Sequence, residues 1–268
     1  MEPLLLEYRD HDFVENWIQF SVLGRARTAT HLARALEDSE LANGTRGSLF
    51  ILLVREAGQA LEDLARWSLA VQENARTSKS VITCLETGHL EWIKVFKDLH
   101  HVSPDELMTA FALPAIQAPG YDKALQAWAE RVRSAAEIAL GTTPGNSMLL
   151  NRWLLKEKHG AFFTLGESSE GLLAVHMPST NETPGAPQPQ VQIVSSDAAT
   201  KMAQLAVSTC VLTGNLAAQW FVGKTGRGPN TSWDSLIEID VRTLTLDEIA
   251  DRIGTTSLMN WKWSSAAQ

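Results

Sequence analysis

From Asp12 to about Gly160 the apolar residues recur at helical spacing, and Pro and Gly fall mainly where a helix would begin or end. This half of the chain reads as all-helical. Between Arg46 and Arg76, the residues Phe50, Val54, Ala57, Leu61, Leu64, Ser68 and Val71 share one stripe at near-heptad spacing, which predicts a bundle helix with Gly58 as its natural break point. Tyr121, Leu125, Trp128, Val132, Ala135 and Ile138 mark a second helix, with Glu130, Arg131, Arg133 and Glu137 turned mostly toward solvent. Between the two, Ser80 to Leu99 is apolar at Val81, Leu85, Trp92 and Phe96, and Gly88 weakens it through the backbone entropy that glycine loses in a helix. Ser103-Pro104-Asp105-Glu106 has the form of a capping box with proline at the first helical position, so a short helix should run to about Leu113. Pro114 and Pro119-Gly120 follow it.

After Gly160 the period changes toward that of strands. Ala161 to Leu165, Leu172 to Met177 and Val191 to Ser195 predict a small antiparallel meander, with Gly166 to Gly171 as its first turn and the proline-bearing stretch Pro178 to Gln190 as its second connection. Ser196-Asp197 can cap an apolar helix from about Ala198 to Phe221. Leu236 to Val241 alternates as a strand, Thr245-Leu246-Asp247-Glu248 is a second capping box opening a helix to about Ile253, and the tail carries Trp261 and Trp263. The expected fold class is α+β, mainly α, in a single domain over 1–268: a helical bundle (1–160), a meander plus long helix (161–222) and a mixed C-terminal extension (223–268).

Composition narrows the function classes. A chain of 268 residues, 44% hydrophobic, can build its core without staples, and Cys84 and Cys210 read as buried thiols of a reducing compartment. The formal charge of -8 repels nucleic acid and anionic membrane surfaces, so DNA is not an expected partner and RNA could be held only locally. The start of the chain, Met1 to Glu7, has no basic region of a signal peptide, and no uninterrupted apolar run reaches membrane-helix length. The expected location is cytoplasmic, with no membrane contact. Asn43, Asn181 and Asn230, which head glycosylation-type triplets, then read as turn residues.

Asn151 to Gly160, NRWLLKEKHG, is the densest basic cluster in this acidic chain. Seven residues along a helix return to nearly the same azimuth, so Arg152 and His159 share a face about 10 Å apart, with Lys156 between them. An imidazole and cations in one stripe suit a phosphodiester: the histidine moves protons near neutral pH, and the guanidinium stabilises charge on the phosphoryl oxygens. Read structurally, the same residues form a helix C-terminus. Lys156, Lys158 and His159 face the negative dipole end and Gly160 supplies the left-handed cap.

Arg-x6-His near the end of a late helix resembles the HEPN superfamily. The resemblance implies a helical fold, frequent dimerisation and, in ribonuclease members, metal-independent RNA cleavage by the motif residues, here Arg152 and His159. The set Asn151, Lys158, His159 and Gly160 followed by strands also looks like bacterial HEPN-like proteins whose fold carries no nuclease activity. Asn151, Lys156 and Lys158 would then be binding residues. Trp153 stands where ribonuclease members have a small polar residue. The expectation is a HEPN-like bacterial protein of a stress, defence or toxin-antitoxin setting. Its role would be non-catalytic, with a protein partner and a homodimeric state; the alternative is an endoribonuclease using Arg152 and His159.

Other motifs are incomplete. Glu86 and His89 form one Glu-x-x-His, whereas a di-iron bundle needs two and further inward glutamates. His100-His101 beside Asp98 reads as a solvated turn. Gly223-Lys224-Thr225 lacks the first glycine of a phosphate loop, Ala218 standing in its place, and Gly166 to Gly171 misses the serine-hydrolase elbow by one residue. No cofactor and no metal is expected.

Overall fold

The computed structural model describes residues 13–14, 16–37, 42–87, 92–117, 120–142, 162–168, 171–176, 190–194, 197–225, 245 and 247–248, the strands by their backbone alone. A π-helical turn, Trp17–Val22, leads directly into α1 (Leu23–Leu36). There follow α2 (Asn43–Thr77), α3 (Val81–Thr87), α4 (Trp92–Leu99), α5 (Pro104–Ala110) and α6 (Tyr121–Leu140), then α7 (Ala198–Thr225).

The long helix α2 runs unbroken through Gly58 for 35 residues. Every member of its predicted stripe, Phe50, Val54, Ala57, Leu61, Leu64, Ser68 and Val71, is buried. Glycine at one position costs about 1 kcal/mol, while fully burying each Val, Leu or Phe contributes about 1.5–3 kcal/mol, so packing overrides the local preference to break. The partner along this stripe is α7, and α1 packs against both. The α1 face is built of small residues, Ala26, Ala29, Thr30 and Ala33, all buried, which lets the helix backbones approach closely. Two interior hydroxyls are satisfied within their own helices: Thr30 Oγ1 donates to the Ala26 carbonyl at 2.9 Å and Thr213 Oγ1 to that of Thr209 at 2.8 Å.

Smaller helices close the bundle. The segment read as Ser80 to Leu99 resolves into α3 and α4, with Gly88 in the intervening 88–91, outside the described residues. The first capping box forms as expected: Glu106 N–H donates to Ser103 Oγ at 3.3 Å, and the Ser103 N–H donates to Glu106 Oε2 at 2.8 Å. These bonds to its charged form hold the Glu106 carboxyl below its ordinary value. Helix α5 ends at Ala110, three residues before the expected stop, and the chain turns through Ala112 at a φ of 46°. Helix α6 buries Tyr121, Leu125, Trp128, Val132 and Ala135 as its spacing predicts, with Ile138 half-buried. It ends at Gly141, whose φ of 68° lets the Thr142 N–H reach back to the Glu137 carbonyl at 3.0 Å.

The expected α+β class, mainly α with a small antiparallel meander after the bundle, is corrected to a mainly helical bundle. Helices make up 86% of the residues described with their side chains, and the core they form is helix against helix. Three short backbone segments, β1 (Phe162–Ser168), β2 (Gly171–His176) and β3 (Gln190–Val194), pair antiparallel in that order, with a register shift between Thr164 and Gly166. The physical reason for the class is size: segments this short cannot supply a sheet face comparable to the surface that α1, α2, α6 and α7 bury. Near the C-terminus the second capping box is present, with the Thr245 N–H donating to Glu248 Oε2 at 2.8 Å, and Asp247 pairs with Arg34 at the end of α1. The expected strand at 236–241 and the Trp261 and Trp263 tail lie outside the described residues.

The stripe of α2 is open to a direct test. Leu64→Ala, at a fully buried position, should lower unfolding free energy by about 3 kcal/mol, and Leu52→Ala, 41% exposed, by under about 1 kcal/mol, as read by urea denaturation.

Candidate functional site

The residues singled out for chemistry, Asn151, Arg152, Lys156, Lys158 and His159, all fall within 143–161, outside the described residues. Glu86 lies in α3, and its partner His89 is also outside the described residues. His100 and His101 stand at the turn after α4 with ring centroids 4.2 Å apart, and His100 Nε2 lies 3.4 Å from Thr142 Oγ1. Lys224 lies over the Trp220 ring, 5.7 Å from its centroid, so its ammonium is engaged by an aromatic face. Cys84 and Cys210 are both buried and are not joined in a disulfide. Among the described residues no group of three or more His, Cys, Asp or Glu could hold a metal ion.

What the described residues do bring together is an ionic node that the sequence pattern did not reveal. Arg25 on α1 donates through Nε to Asp63 Oδ2 at 3.0 Å and through Nη1 to Glu56 Oε2 at 3.1 Å. Glu56 and Asp63 are seven residues apart on α2, so one guanidinium fork spans two turns of that helix. The side chains are 20% (Arg25), 20% (Glu56) and 13% (Asp63) exposed. Burial works against the Arg25 charge, yet Asp63 and then Glu56 more than offset it and hold the guanidinium above its ordinary value. Burial pushes the Asp63 carboxyl up, and Arg25 pulls it back only in part. The pair is thus unequal: the arginine gains from the contact, while the carboxylate loses more hydration than its partner returns. Gln59 and Glu62 extend the node along α2, the Gln59 amide donating to Glu62 Oε2 at 3.1 Å.

Cys210 of α7 lies within electrostatic reach of the same groups, and burial, with Asp63 adding to it, raises its thiol far above the ordinary range. Burial of this kind favours the protonated thiol. The node joins α1 to α2 through an acceptor pair and a forked donor. A sequence signal for it existed in Glu56 and Asp63, two carboxylates flanking the apolar stripe at heptad spacing, but only the docking of α1 supplies the cation.

Two further features face function. Trp17, Trp67 and Trp220 form a column, Trp17 stacked on Trp67 at 5.3 Å and Trp67 meeting Trp220 edge-on at 5.5 Å. Phe20, on the same π-helical turn as Trp17, has 74% of its surface exposed, while Ile18 and Val22 on that turn are buried. A π-turn closes i→i+5 bonds, so it is wider in cross-section than an α-helix, and it often marks a functional position.

No family model matches the chain, no curated protein matches it significantly, and no solved structure does. Among the described residues no helix is long and apolar enough to cross a membrane.

The unequal ion pair gives a pH dependence with a defined sign. Because the folded Asp63 pKa lies above its unfolded value of 3.8, its contribution is fully present below that pH and is lost as pH rises through the folded value. Asp63→Asn removes this titration, so the variant should gain stability relative to wild type as pH rises above about 4, measured by urea unfolding at a series of pH values. Arg25→Ala, which leaves two carboxylates without their cation, should cost about 3 kcal/mol at pH 7.

Proposed function

We propose that this chain is a non-catalytic interaction protein built on a HEPN-like helical bundle, acting in a bacterial stress or defence setting. The observation that carries the reading is Phe20, a large apolar side chain 74% exposed on a π-helical turn that Ile18 and Val22 anchor in the core. Water is a poor environment for such a side chain, and a rigid backbone beneath it reduces the entropy lost on docking a partner. Exposed aromatic anchors of this kind dominate protein interfaces energetically.

The test is substitution at the anchor. Phe20→Ser should leave the melting temperature of the purified chain within about 2 °C of wild type, yet abolish recovery of the proteins that wild type retains by affinity capture and cross-linking at the π-turn. Equal recovery by both would remove Phe20 from the interface and the reading with it.

A second reading is favoured by one feature of the sequence, the basic stripe of Arg152 and His159 at two-turn spacing, with Asn151, Lys156 and Lys158 as phosphate-binding neighbours. On this reading the chain is a metal-independent endoribonuclease, a homodimer that binds RNA locally. Incubation with structured RNA in EDTA should then give cleavage that His159→Ala lowers by about 100-fold or more. Absence of cleavage, or cleavage unaltered in the variant, would leave only the interaction reading.

A further inference from the structure

The interior of α7 holds a side chain that the surrounding protein leaves unserved. Gln219 is 0% exposed, and neither its Nε2 nor its Oε1 meets a protein hydrogen-bond partner. The indole Nε1 groups of Trp67 and of the adjacent Trp220, also buried, have no protein acceptor either. An amide carries two donor hydrogens and an acceptor oxygen, and each indole adds one donor. Dry burial of all these groups would consume a sizeable share of a marginal fold's stability.

Gln219 stands one turn before Gly223, near the same face of α7, and Gly223 packs so closely on the segment joining α5 to α6 that a Cβ there would lie 2.9 Å from Pro114 Cβ. That segment carries carbonyls already used as acceptors: Ser68 Oγ and Gln72 Nε2 donate to Ala110 O at 3.0 and 3.1 Å, and Tyr121 OH donates to Pro114 O at 2.6 Å. The Pro114 carbonyl oxygen retains a second lone pair, whereas that of Ala110 is shared by two donors.

We infer that Gln219 is the anchor of a buried water site at the junction of α7 with α2 and the α5–α6 connection. Water is the ligand class that fits the donor and acceptor inventory. Gln219 must both give and receive hydrogen bonds, which an anion or a cation cannot match, and the two indoles need an acceptor. A molecule that donates twice and accepts twice serves both.

The experiment uses the full chain and two readouts. A water-selective NMR exchange measurement should show a cross-peak between the Gln219 Nε2 protons and a long-lived water. Gln219→Leu should lower the melting temperature by about 3 °C, because it strips that water of its main partner and leaves the indole donors dry. A resolved Gln219 amide signal with no water cross-peak overturns the inference, as does a leucine variant that melts above wild type, the behaviour of an amide that was unpaired all along. If the leucine variant does not fold, the wild-type cross-peak decides alone.

Discussion

The structure depends on one constraint, the need of α7 to be covered on almost every side. Its buried set includes Met202, Ala206, Val211, Leu216 and Phe221, which no single face of a helix could hold, so α7 must be central. The stripe of α2 covers one side, the small-residue face of α1 another, and the π-turn and α6 complete the enclosure. Helix α2 stays continuous through Gly58 because its stripe must follow α7 along its length.

Given that arrangement, the polar features fall where the packing permits them. Arg25 can stand within a tightly packed three-helix junction because it reaches the two carboxylates of α2 near the surface rather than the interior. The tryptophan column fills the space between the π-turn, α2 and α7, where large planar side chains replace what smaller residues would leave void. Phe20 remains outside because the wide turn that seats Ile18 and Val22 inward cannot also turn residue 20 inward.

Much of this was legible in the residue pattern. The α2 stripe, the α6 face and both capping boxes follow from spacing alone, since each rests on residues within a few positions of one another. The fold class was not, because alternation after Gly160 says how short segments are built and nothing of how little they weigh beside four long or well-buried helices. Nor was the ionic node, whose partners lie 31 and 38 residues apart and meet only when α1 docks. Gln219 gave no signal either: it is one of several polar residues spread along α7, and nothing in the spacing separates the buried ones, Thr209, Thr213, Asn215 and Gln219, from the rest. The basic cluster at 151–159 remains a matter of sequence, outside the described residues, and the functional readings divide on it.

The most direct test of the central-helix account is hydrogen exchange along the full chain. If α7 is enclosed as described, amides of residues 205–221 and those beneath the α2 stripe at 54–71 should exchange slowest in the molecule, at one common rate set by global unfolding. Exchange of the α7 amides ahead of those in α2, by a local opening of its own, would contradict it.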